Sequence, residues 1–216
     1  MAIDAKKVKE LSNMTGCGLM DCKKALVETD GDIDKALKIL REKGLAGAQK
    51  KASRIAADGL VETYCHMGGK IGVMLELNSE TDFVAKTDIF HELAHNLAMH
   101  IAAYNPKYIR REDVPASEIE SEKEIARTKA LNDGKPEKIV EKIVDGNIEK
   151  YFKAVCLLEQ PWIMDDSVSV ENAIKDVVVK TGENIQIRRF VRYEKGEGLQ
   201  KREENFADEV MKQAQQ

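Results

Sequence analysis

The pentapeptide His91-Glu92-Leu93-Ala94-His95 carries the sharpest chemical pattern in the chain. Histidines at i and i+4 of a helix can bind one zinc ion, and the glutamate between them can activate a zinc-bound water. A zinc metalloprotease is therefore the alternative function to weigh. On a helical wheel Phe90, Leu93, Ala94, Leu97, Ala98 and Ile101 cluster in one direction, with His91 and His95 about 100° and 140° away and Glu92 about 200° away. The histidines then flank a core and the glutamate points away from it. Ala98 and Ile101 also stand where the extended pattern of one zincin class needs a glycine and a third histidine, although Glu112, Glu118 and Glu120 remain available as a carboxylate ligand. The pattern reads as a surface helix, and neither a metal nor a cofactor is expected.

Two other segments invite a chemical reading. Asn78-Ser79-Glu80-Thr81-Asp82-Phe83-Val84 places an aromatic beside a carboxylate in a polar stretch between regular elements, the kind of loop that tends to carry function. Phe83 either folds back over the following helix or stands out as a probe, and the residues alone do not separate the two. Thr15-Gly16-Cys17-Gly18-Leu19-Met20 puts two flexible apolar side chains beside Lys23, which suits either a docking surface or the completion of a small core. Gly16 and Gly18 follow a helix and lack a third glycine, so they are no dinucleotide fingerprint. Cys17, Cys22, Cys65 and Cys156 are spaced too widely for a zinc knuckle and read as small buried hydrophobes in a reducing cytoplasm. A phosphate-binding loop, a nucleophile elbow and an activated Cys/His pair are all missing, so no enzyme is expected.

The elements that position these residues follow from periodicity and breakers. Glycine-containing breaks at 15–18 and 30–31 divide the first 44 residues into three helices: Asp4 to Met14, Met20 to Thr29 and Asp32 to Lys43. Residues 45–57 read as a partly helical linker, with the first domain free to move. Val61, Thr63 and Cys65, together with Ile71, Val73, Leu75 and Leu77, repeat at period two around Gly68-Gly69, predicting a hairpin with one covered face. Ile185, Ile187, Val191 and Tyr193 predict a third strand, with Arg188 and Arg192 in the opposite phase. Further helices are expected over Ser117 to Leu131, over Pro136 to Leu158 with Gly146 as a candidate break, and over Ser169 to Thr181 ahead of Gly182. The fold class is α+β: three N-terminal helices, then a 58–198 core of a three-stranded antiparallel sheet packed with helices. Residues 199–216 read as a polar helix with Phe206 and Val210 on one side.

The chain has 216 residues with 34 basic and 38 acidic side chains, a net charge of -4, and only 5% aromatics. Such a balance suits a soluble protein that meets a folded partner, with no direct nucleic-acid binding and no membrane. Residues 1–54 hold 12 basic against 8 acidic residues, or +4, which leaves -8 for the remainder. No apolar run approaches a membrane span, and Met1 to Val8 lack a signal-peptide core, so a cytoplasmic location is expected.

Thr15-Gly16-Cys17-Gly18-Leu19-Met20-Asp21-Cys22-Lys23-Lys24-Ala25-Leu26 and Asn78-Ser79-Glu80-Thr81-Asp82-Phe83-Val84-Ala85 resemble signatures of bacterial elongation factor Ts. The resemblance continues through Glu159-Gln160-Pro161-Trp162, Gly196-Glu197-Gly198 and Asn205-Phe206-Ala207-Asp208-Glu209-Val210. It implies a nucleotide exchange factor for the GTPase elongation factor Tu, built from a ubiquitin-associated-like helical domain and an α+β core. It also implies that Leu11, Leu19, Met20 and Lys23 dock on the GTPase, in its GDP-bound and nucleotide-free forms. By the same resemblance the Thr81-Asp82-Phe83-Val84 loop approaches the magnesium and nucleotide, and the module bearing Phe206 and Val210 makes a further contact. Longer family members carry a second core subdomain that is absent from this sequence. A homodimer of two such cores is therefore expected.

Overall fold

The computed structural model describes residues 4–15 and 17–199. Helices α1 (Ala5–Thr15), α2 (Leu19–Glu28) and α3 (Ile33–Lys51) open the chain. Val8, Leu11, Cys22, Ala25, Leu26, Ala36 and Leu40 enclose one another between them. Asp32 caps α3 by accepting a hydrogen bond from the Lys35 N–H, satisfying one of the unpaired donors of the first turn. The third helix runs well past Lys43: Ala48, two turns beyond Leu40, is buried in a different cluster, against the core.

Strands β1 (Asp58–His66) and β2 (Ile71–Ser79) form the hairpin, and β5 (Gln186–Glu194) adds antiparallel to β2, giving the order β1-β2-β5. The hairpin register pairs Leu60 with Leu77, Glu62 with Leu75 and Tyr64 with Val73. Even-numbered residues of β1 therefore share the covered face with odd-numbered residues of β2. Val61, Thr63 and Cys65 consequently lie on the open face, opposite to the sequence expectation, and Cys65 is exposed rather than buried. A second inversion occurs in β5, where pairing jumps from Glu76–Arg189 to Leu77–Ile187 and leaves Arg188 as a bulge. The extra residue reverses the alternation beyond it. Val191 and Tyr193 thus turn outward, while Arg192 turns inward, its Nε donating to the Ala102 carbonyl at 3.2 Å.

Helix α5 (Asp88–Tyr104) lies across the covered face of the sheet. Phe90, Leu93, Ala94, Leu97, Ala98 and Ile101 are all buried, in agreement with the helical wheel. Helix α8 (Val170–Thr181) packs on α5 and α3, with Ser169 accepting at its N-cap from the Asn172 N–H. Gly182, at φ 79°, ends it in the left-handed conformation that side chains disfavour.

Helices α6 (Ala116–Asn132) and α7 (Glu137–Val155) form an antiparallel hairpin with its own apolar seam at Val140, Val144, Ile148 and Phe152. Its root is fixed by Glu118, which accepts from the hydroxyls of Tyr108 and Tyr151, and by Arg111, which bridges Glu149 and Glu159 above the Phe152 ring. Helix α7 continues unbroken through Gly146, the candidate break, because the exposed glycine costs only about 1 kcal/mol against alanine. The sequence reading also missed a small ribbon of β3 (Pro161–Trp162) and β4 (Asp165–Ser169), too short for periodicity to register. No described helix is long and apolar enough to cross a membrane.

Candidate functional site

Two surfaces collect the residues singled out in the sequence. The first is the turn after β2. Ser79 Oγ donates to the Thr81 carbonyl at 2.9 Å, and Thr81, in extended conformation, begins a single helical turn, α4 (Asp82–Ala85). That turn buries Val84 and Ala85 in the core. A helix advances about 100° per residue, so burying positions three and four of the turn directs positions one and two outward. Phe83 is accordingly 80% exposed, which answers the question left open by its sequence. Its ring is a probe rather than a staple.

Asp82 Oδ2 lies 2.5 Å from Lys86 Nζ, one turn along. The ammonium group holds the Asp82 carboxyl below its ordinary value, and the carboxylate raises Lys86 in return. Asp82 is thus kept as an anion beside an exposed aromatic ring, on a turn anchored from beneath by two apolar side chains. Such an arrangement offers no acid, base or nucleophile in a hydrophobic setting. It offers an exposed, amphipathic projection of one aromatic ring and one carboxylate.

The second surface is the outer side of α1 and α2. Leu19 and Met20, in the first turn of α2, are 57% and 65% exposed, and Lys23 shares their face at spacings of four and three. These side chains do not complete the small core. Leu11 does: it is fully enclosed, so any part it takes in docking passes through the helices it holds in place. Val27, also exposed and one turn beyond Lys23, extends the apolar surface and was missed because spacing alone does not say which side of a short helix is covered, whereas exposed Met14 lines the cleft between the N-terminal helices and the core. Phe206 and Val210 lie outside the described residues.

The pentapeptide of α5 occupies neither surface. His91 and His95 are exposed and flank the buried stripe, and His95 Nδ1 lies 3.2 Å from Glu62 Oε1 on β1. Glu92 borders a cleft of about 500 Å³ between the N-terminal helices and the core, floored by Leu93, Trp162 and Val177. Among the described residues no group of three or more His, Cys, Asp or Glu side chains could hold a metal ion. Cys22 and Cys156 are buried, and burial pushes their thiols up, Cys156 to about 11, which keeps both un-ionised.

Sequence reasoning also missed what holds the first surface in place. The turn after α8, at Glu183 and Asn184, is hydrogen-bonded to Glu80 and Thr81 across more than a hundred residues of sequence. No local pattern signals a contact of that range.

Comparison with known proteins places these surfaces in a family. The family model described as Elongation factor TS matches residues 8–197. An Elongation factor Ts of Heliobacterium modesticaldum is 62% identical over 209 residues, 97% of each chain. That of Acetivibrio thermocellus is 58% identical over 211 residues, 98% of each chain, and that of Alkaliphilus oremlandii is 58% identical across the full length of both. A match this long, spanning the helical domain, the projecting turn and the sheet alike, means that the chain belongs to the elongation factor Ts family.

Proposed function

We propose that this protein promotes release of GDP from elongation factor Tu during translation elongation, as family membership implies. The observation that carries the reading is the exposure of Phe83 on a turn whose next two residues are buried. In this mechanism Leu19, Met20 and Lys23 dock the helical domain on the GTPase. The Asp82-Phe83 projection then enters beside the magnesium and nucleotide. Phe83 parts packed side chains of the partner, and Asp82 perturbs the polar groups that hold the metal. Weakening the magnesium site removes charge neutralisation from the phosphates.

No proton transfer is needed. An exchange factor that binds the nucleotide-free GTPase more tightly than the GDP-bound form weakens GDP binding by the same factor, because the coupling is reciprocal. The residual apolar side chains of the open sheet face, Val61, Met74, Val191 and Tyr193, suit a second copy of the same face, giving a homodimer. The deciding measurement for exchange is the rate at which labelled GDP leaves elongation factor Tu with and without the protein. No acceleration by the intact chain would end this reading.

A further inference from the structure

The turn bearing Phe83 is clamped from the far end of the sequence. Glu183 Oε2 accepts from the Thr81 backbone N–H at 3.0 Å, and Glu183 Oε1 accepts from the Thr81 hydroxyl at 2.7 Å. The clamp is reciprocal, since Glu80 Oε1 accepts from the Asn184 backbone N–H at 2.7 Å. Each carboxylate binds the backbone of the opposite turn through a charge-assisted hydrogen bond, the stronger kind.

Asn184 continues the chain of contacts. Its buried side-chain amide donates to the Arg54 carbonyl at 2.7 Å and to the Ala52 carbonyl at 3.4 Å, and Gln186 Nε2 donates to Ala52 at 2.8 Å. Ala52 closes α3, and carbonyls at a helix C-terminus have no partner within the helix. The segment leaving the docking helices is thus tied to Asn184, and the adjacent Glu183 is tied to the projecting turn.

We propose that Glu183 is a positioning residue for nucleotide exchange, anchored through Asn184 to the end of α3. It holds the Thr81–Phe83 turn at a fixed offset from the docking helices, so that both surfaces meet the GTPase as one body. The proposal rests on the exchange function set out above. Its physical content is preorganisation: a clamped projection has little freedom left to lose on insertion.

The test is GDP release from elongation factor Tu, followed against concentration of the full-length protein, for Glu183→Ala, Glu183→Gln, Phe83→Ala and the Glu183→Ala/Phe83→Ala pair. Glu183→Ala should lower the saturating rate by roughly tenfold, with the half-saturating concentration changed by less than about twofold. Glu183→Gln can still accept from the Thr81 N–H and donate to its hydroxyl, and should keep about half the rate or more. Added to Phe83→Ala, Glu183→Ala should cost much less than it does alone, because most of its effect passes through that ring and only the Asp82 share remains. A wild-type rate for Glu183→Ala alongside an impaired Phe83→Ala overturns the positioning role and leaves exchange standing. Equal losses for Gln and Ala, full additivity with Phe83→Ala, or a change confined to half-saturation overturn it as well. A wild-type rate for Phe83→Ala would instead remove the projecting-turn reading itself. Should Glu183→Ala fail to fold, Thr81→Val, which removes only the hydroxyl arm, must show a smaller loss in the same saturating rate, and an unchanged rate overturns the proposal.

Discussion

His100 Nε2 lies 2.9 Å from Gln160 Oε1, both side chains buried, with the Gln160 amide nitrogen donating in turn to the Ala154 carbonyl. The direction of this chain puts the imidazole proton on Nε2, and Nδ1 has no partner. The ring stacks between Tyr104 and Trp162, which joins α5 to the small ribbon and to the end of α7.

Burial holds His100 below its ordinary value of 6.5, so the folded state resists protonation. Below that value the unfolded chain binds a proton that the folded chain refuses. Stability contributed by the neutral ring is therefore fully present above pH 6.5 and declines as pH falls beneath it. The urea midpoint should drop between pH 7 and pH 5, and that drop should shrink in His100→Gln, which keeps a donor but cannot titrate. An equal drop in both proteins would reject this assignment.

Phe83→Ala should leave folding almost untouched, within about 0.5 kcal/mol, because the ring is exposed. GDP release should nevertheless slow by about tenfold or more, the cost of truncating a central aromatic anchor. Unfolding curves and stopped-flow release on the same preparations separate the two effects.

Leu11→Ala and Met20→Ala should divide in the opposite way. Truncating enclosed Leu11 costs about 2–5 kcal/mol, more than so small a core can spare. Amides of α1 and α2 should lose hydrogen-exchange protection while those of α5 keep it. Met20→Ala should leave protection intact and raise the half-saturating concentration for exchange.

Glycine replacements should change sign with position. A Cβ at Gly59, where φ is +137°, would fall 2.1 Å from the Leu77 carbonyl oxygen. Gly59→Ala should destabilise by about 2 kcal/mol or more, since backbone must shift. At Gly146, on the exposed side of α7, a Cβ meets nothing within 4 Å, so Gly146→Ala should stabilise by about 0.5–1 kcal/mol. Thermal midpoints of the two variants check both signs.

The open sheet face predicts association. Light scattering at working concentration should give about twice the 24.2 kDa chain mass, and Met74→Lys should reduce it to one chain. A single-chain mass for the unaltered protein would refute the dimer.

Legibility followed the range of the forces. The buried stripe of α5 was plain in the sequence because one helix face packs against one sheet, and the Asn78–Val84 segment stood out as polar chain between regular elements. The orientation of β1 was not, because Leu60/Tyr64 and Val61/Cys65 both alternate acceptably and only the hairpin register chooses between them. The phase of β5 was hidden by one bulged residue, Arg188, whose presence depends on its partner strand. Exposure of Phe83 could not be read because it follows from where Val84 and Ala85 find their cavity. Family resemblance singled out the Thr81–Val84 loop without supplying any of these geometries.

Helix α3 contributes Leu40 to one packed cluster and Ala48 to another, within a single uninterrupted rod. Its length therefore sets a rotational phase. One residue inserted between those positions would advance the helix by about 1.5 Å and rotate everything before it by about 100° relative to the sheet. Four would nearly restore the rotation but add about 6 Å of separation. Insertions there should be far less tolerable than in the hairpin loop at Gly68-Gly69, where a side chain would meet nothing within 4 Å.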